Sequence, residues 1–152
     1  MKKAVAWLMI ASALWSAPYR VGEALPAMAL NDQFGKTHTL KEMPKTVIMA
    51  FEKGTAAMAD ELLGKQTAGY LAAHHAVYIA DISPMPGFIA EAFALPKMRK
   101  YPYTVLLIRD EETGLKFPAA DGKVTLLRME GNVIRSVEYA ETADELKAAI
   151  EK

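Results

Sequence analysis

TVIMAFEKGTAAMADELLG, residues 46–64, sets an apolar run of strand length directly ahead of a polar break and a stretch of helical spacing. Thr46 to Phe51 shows no alternation, which suits a strand covered on both faces, the central position in a helix-flanked sheet. Glu52-Lys53-Gly54-Thr55 interrupts it. From Ala57 to His74 the apolar residues Met58, Leu62, Leu63, Tyr70 and Leu71 then recur near helical spacing. Gly64 and Gly69 weaken that helix, since glycine in a helix interior costs about 1 kcal/mol relative to alanine. Ala76 to Ile82, AVYIADI, is a second central strand by the same reasoning. Strand, helix and strand in this order make an α/β layer fold the expectation.

The flanking sequence extends the pattern in both directions. Toward the C-terminus, Ser83-Pro84-Met85-Pro86-Gly87 forces a turn, Phe88 to Leu95 forms a short amphipathic helix, and Pro96 ends it. Tyr103 to Ile108 is a third strand, closed by the polar turn run Arg109 to Gly114; Leu115 to Gly122 is irregular and contains Pro118. Val124 to Met129 and Val133 to Tyr139, joined by Glu130-Gly131-Asn132, have the chemistry of a hairpin. Thr142-Ala143-Asp144-Glu145 has the form of a capping box ahead of a last helix with Leu146 and Ile150 on its apolar edge. Toward the N-terminus, Ala27 to Leu30 and Thr37 to Leu40 flank the turn Asn31 to Lys36, a second hairpin. The expectation is one domain over residues 18–152, with a central mixed sheet flanked by helices and an N-terminal hairpin extension.

Residues 1–17, MKKAVAWLMIASALWSA, read as an export signal: Lys2 and Lys3, an apolar run to Trp15, and small residues for cleavage after Ala13 or Ser16. Cleavage after Ala17 would leave Pro18 at the first mature position. The run is short for a membrane span, and an uncleaved anchor or buried N-terminal helix is the alternative. Export predicts a periplasmic or secreted protein with no membrane span after cleavage. Eighteen basic residues balance eighteen acidic ones, and losing Lys2 and Lys3 leaves a net charge of about −2. The longest basic cluster, Lys97, Arg99 and Lys100, is no nucleic-acid footprint. The 152 residues contain no cysteine, which excludes disulfides, thiolate metal sites and thiol nucleophiles.

VGEALPAMALNDQFGKTHTL (residues 21–40), TVIMAF and VTLLRMEGNVIRSVEYAETADELKAAI (residues 124–150) resemble, in order and spacing, the thioredoxin-like superfamily. The arrangement is similar to that of peroxiredoxins and exported TlpA-type proteins, and YPYTVLLIRD also resembles the small periplasmic YtfJ-type group. The resemblance covers Val21 to about Glu151 and implies a thioredoxin-like fold. In thiol enzymes of this superfamily the reactive cysteine sits where the first core strand turns into its helix, because helix N-terminal amides stabilise a thiolate. Against the peroxiredoxin pattern Thr-x-x-Cys-x-x-Glu, Thr55 and Glu61 match and Met58 stands at the cysteine position. Against the two-cysteine TlpA pattern, Ala56 and Ala59 do. Neither a thioether nor a methyl group forms a thiolate, so thiol-disulfide exchange and thiol peroxidase chemistry are absent. Pro102 and Pro118 both precede strand-like runs, as the superfamily's proline does, and neither has its adjacency to the hairpin.

Thr55 either caps its helix or, with the helix amides, binds an anion. Asp81 ends a central strand, where open α/β sheets bind ligands, or fixes the following turn. Lys97, Arg99, Tyr101 and Tyr103 mix cationic and aromatic groups as protein-binding surfaces do, and as ordinary loops also do. His74 and His75 diverge by about 100° on a helix and His38 stands apart, so no metal site is expected. Methionines such as Met49, Met58 and Met129 fall in apolar patterns as core filling. No glycine-rich nucleotide motif is present, and the flavin-linked label that the resemblance carries finds no support; no cofactor is expected. Two functions remain: a redox-inactive envelope module binding a protein or peptide partner, or a cysteine-free enzyme or small-ligand carrier using Thr55, Glu61 and Asp81.

Overall fold

The computed structural model describes residues 18–152; the expected export signal and its cleavage sites lie outside them. Seven strands, β1 (Met28–Asp32), β2 (Thr37–Leu40), β3 (Thr46–Ala50), β4 (Ala76–Asp81), β5 (Leu106–Ile108), β6 (Val124–Glu130) and β7 (Val133–Ala140), form one sheet in the order β2-β1-β5-β4-β3-β6-β7. β3, β4 and β5 are parallel, and both hairpins add antiparallel strands at the edges. The sheet is mixed, with the hairpin extension that the sequence predicts. Strand β3 is buried at every position, as its uninterrupted apolar run requires. Ile48 and Ala50 face one core, shared with Leu62, Leu63, Leu126 and Leu146, while Val47 and Met49 face another, shared with Leu25, Phe117, Leu127 and Ile134.

Helix α1 (Lys53–Gly64) follows β3, and α2 (Tyr70–Ala73) follows after a short break. The single helix expected over 57–74 is therefore two: it starts earlier, and the gap falls between Gly64 and Gly69. After β4 comes the helical stretch 87–98, composed of α3 (Gly87–Ile89), a π turn (Ala90–Ala94) and α4 (Leu95–Met98). Pro96 does not end it. The proline lies inside the continuous stretch, just after the π turn, where the regular hydrogen-bond ladder is already interrupted.

Strand β5 is shorter than the expected 103–108, because Tyr103 and Val105 are engaged elsewhere. Their backbone is held by Gln33, at the β1–β2 turn: its Nε2 donates to the Tyr103 carbonyl at 2.8 Å and its Oε1 accepts from the Val105 amide at 3.0 Å. The run expected as a polar turn over 109–114 holds helix α5 (Glu111–Leu115), whose N-cap Asp110 accepts from the Thr113 amide at 2.9 Å. That Asp-x-x-Thr cap was the overlooked signal. Helix α6 (Ala143–Ile150) starts at Thr142, whose hydroxyl accepts from the Glu145 amide at 3.1 Å, as the capping sequence predicts. Among the described residues no helix is long and apolar enough to cross a membrane.

Candidate functional site

Where β3 and β4 end, α1 and the stretch 87–98 leave between them a cleft of about 550 Å³. The parallel strands place their carboxyl ends here, which makes it the crevice where open α/β sheets take ligands. Ala56, Ala57 and Asp60 of α1 form one wall; Ile89, Phe93 and Lys97 form the other; Ala80, Asp81 and Ile82 form the floor. The lining is predominantly apolar. Small residues on α1 and at Ala94 keep the walls low, and Phe93 stands at the rim with 68% of its surface exposed. Phe88 lies one turn earlier on the same stretch and is 72% exposed.

The π turn explains this display. It allows Ala90 and Leu95, five residues apart, both to enter the core, a spacing that an α-helix would splay by about 140°. The same extra residue brings Phe88 and Phe93 closer in phase on the outward side. Such turns inside helices recur at functional sites.

The sequence-derived candidates divide. Thr55 is not the N-cap: Glu52 holds that position, and Thr55, 3% exposed, hydrogen-bonds to it through its hydroxyl, which donates to the Glu52 carbonyl at 3.0 Å and accepts from its amide at 3.2 Å. The Glu52 carboxylate also accepts from the Gly122 amide at 3.2 Å. The helix start thus carries a fixed negative charge, which opposes an anion. Glu61 lies on the exposed face of α1, paired with Lys65 at 3.2 Å, and does not line the cleft. Of the positions standing where the superfamily has cysteine, Ala56 lines the cleft, Met58 packs at the edge of the core, and Ala59 is fully buried.

Asp81 does line the cleft floor, and its Oδ1 accepts from the Ser83 amide at 2.9 Å. Its other oxygen lies against Gly114, where a Cβ would approach within 2.2 Å. Alanine at a helical position ordinarily gains about 1 kcal/mol over glycine. Here the anchored carboxylate reverses the sign: Gly114→Ala is expected to destabilise by about 1–3 kcal/mol. Combined with Asp81→Ala, the same change should cost little. Thermal unfolding of the two variants checks both.

Lys97, Arg99, Tyr101 and Tyr103 do not form one outward surface. Lys97 borders the cleft, and the Arg99 Nε donates to the Gln33 carbonyl at 3.0 Å. Both tyrosines turn inward onto Asp60, a residue the sequence reading missed. Tyr103 Oη donates to Asp60 Oδ1 at 2.7 Å and Tyr101 Oη to Oδ2 at 3.0 Å, the two rings stacked with centroids 5.0 Å apart. Tyr78, on β4 and 1% exposed, has its hydroxyl near enough to feel the Asp60 charge, yet the hydroxyl has no hydrogen-bond partner. Burial raises the Asp60 carboxyl above its ordinary 3.8, against the lowering effect of the tyrosine donors and of Lys97. Burial likewise pushes the hydroxyls of Tyr78, Tyr101 and Tyr103 upward, with the Asp60 charge adding to it. Each tyrosine is therefore neutral, and Tyr101 and Tyr103 act as donors. The signal was available as Asp60 in a helix with Tyr101 and Tyr103 two residues apart, but their meeting depends on tertiary structure.

The peptide bonds before Pro102 and Pro118 are trans. Among the described residues no group of histidines and carboxylates could hold a metal ion.

No protein-family model and no curated protein matches the chain. Solved structures do. A protein proposed to be a disulfide isomerase from Bacteroides thetaiotaomicron is similar at a TM-score of 0.58 and 18% identity, over 87% of this chain and 86% of that one. The peroxidoxin BcpB of Mycobacterium tuberculosis gives 0.54 and 18%, over 86% and 94%. A SCO1/SenC family lipoprotein from Bacillus anthracis gives 0.53 and 11%, over 84% and 93%. The chain has a thioredoxin-like fold. Within that fold it is a form without cysteine, so the residues at the usual reactive position carry no thiol.

Proposed function

We propose that this chain is a redox-inactive thioredoxin-fold module, exported to the cell envelope, that binds a protein or peptide partner through the cleft between α1 and the stretch 87–98. The observation that carries this reading is the cleft itself: an open apolar groove at the strand ends, with the exposed Phe93 ring at its rim. Exposed aromatic rings beside an apolar recess supply binding area at low entropic cost, and aromatic residues dominate protein-binding surfaces. The alternative, a cysteine-free enzyme or small-ligand carrier using the start of α1, is the weaker reading. Thr55 is occupied by Glu52, and the Glu52 carboxylate stands where an anion would sit.

Ala56→Trp fills the cleft from a position that is only partly buried. Binding of pooled apolar hexapeptides to the immobilised protein is expected to drop at least about tenfold in this variant, with thermal unfolding unchanged. Peptide binding that survives the substitution sinks the cleft reading. Export is checked by the mass of the protein recovered from its host: processing after Ala13 or Ser16 supports it, and an unprocessed chain in the cytosol refutes it.

A further inference from the structure

Asp60 is a partly buried carboxylate with no cation in contact with it among the described residues. None of the ion pairs among the described residues includes it, although Lys97 borders the same cleft and acts on it at longer range. Burying a charge is costly unless it is paired, and proteins ordinarily provide the partner. Here two hydroxyls donate to the carboxylate and a third, on Tyr78, is buried beside it, close enough to feel its charge but outside good hydrogen-bond geometry. These groups spread the charge and do not neutralise it. Asp60 and Tyr101 both face the cleft, so a carboxylate and an aromatic ring meet on one wall of an apolar groove. That combination suits an alkyl chain ending in a cation: apolar walls take the chain, and the carboxylate and ring take the charge.

We propose that the peptide segment received by the cleft presents a lysine side chain to Asp60 and Tyr101, flanked by apolar residues that occupy the walls. This rests on the cleft reading above and names the chemistry of its occupant. Lys97 then acts as the intramolecular competitor, an exposed ammonium at the cleft edge that shields Asp60 in the free protein and swings outward when a peptide enters.

The test uses two pools of hexapeptides in which leucine, isoleucine and phenylalanine flank one fixed position, lysine in one pool and norleucine in the other. Wild-type protein is expected to retain the lysine pool about tenfold more strongly, with a preference that shrinks as salt is raised. Asp60→Asn should abolish the preference while still binding the norleucine pool, which shows that the variant is folded and its cleft intact. Lys97→Met should enlarge it. Equal retention of the two pools by wild type overturns the lysine assignment and leaves the cleft reading standing. A preference that persists in Asp60→Asn overturns it too, because the cation is then read elsewhere. Retention of neither pool overturns both.

Discussion

Gln33→Leu is expected to lower the unfolding free energy by about 2–4 kcal/mol, since a buried polar group left without its partner costs about 1–3 kcal/mol and this change strands two. Gln33 is 1% exposed and sits at the turn between β1 and β2. Its side chain reaches residues some seventy positions away, accepting from the Val105 amide and donating to the Tyr103 carbonyl, with a longer contact to the Met98 carbonyl at 3.4 Å. Leucine has nearly the same volume, so the loss is one of hydrogen bonding and not of packing. Urea denaturation measures the change, and hydrogen exchange at the Val105 amide locates it. A loss below about 0.5 kcal/mol, the size of a neutral surface substitution, would mean that the strand-like segment before β5 is held by its packing alone.

Asp60→Ala should cost a similar amount, about 2–4 kcal/mol, because it leaves the buried Tyr103 hydroxyl and the half-buried Tyr101 hydroxyl without their shared acceptor. A double-mutant cycle with Tyr103→Phe separates the pair from its surroundings, and coupling above about 1 kcal/mol is expected of residues in direct contact. Asp60→Asn adds a dependence on pH. The folded state raises the Asp60 carboxyl above 3.8, so the native protein holds that proton more tightly than the unfolded chain does. Ionisation therefore costs stability as pH rises from about 3.8 toward the raised value, and no further above it. Wild type should lose ground to Asp60→Asn over that interval. Asp110 behaves in the opposite sense: Thr113 hydrogen bonds hold it below 3.8, so its contribution is present above that value and fades as pH falls through its lowered one. A difference between wild type and Asp60→Asn that stays flat with pH would show that the tyrosine donors and Lys97 fully offset the burial of Asp60.

Much of the architecture was legible because the parallel core announces itself. Strand β3 is buried along its whole unbroken run and β4 over Tyr78 to Ala80, and the β6–β7 hairpin and the Thr142 cap follow local rules. What escaped depended on distance in the sequence. Nothing near Gln33 says that its amide will bind a segment beyond residue 100, so the third strand was read too long. The same holds for the tyrosines: Tyr101 and Tyr103 were read as an outward patch, since their meeting with Asp60 is created only when α1 packs beside the segment that follows α4. The π turn was invisible for a different reason, because hydrophobic periodicity at 3.6 residues is blind to a single inserted position. At the start of α1, by contrast, the absence of cysteine could be read directly, and the neighbours in fold give no reason to revise it.

The π turn ties two properties that would otherwise vary separately. Winding 90–94 as regular α-helix with its residues unchanged in number would rotate everything beyond it, so Leu95 would leave the core in the same step that carries Phe93 away from the cleft rim. Any pressure that preserves the packing of Leu95, a matter of folding alone, thereby also preserves the aromatic ring held out to a partner. The rim of this groove is protected against drift by the protein's own interior.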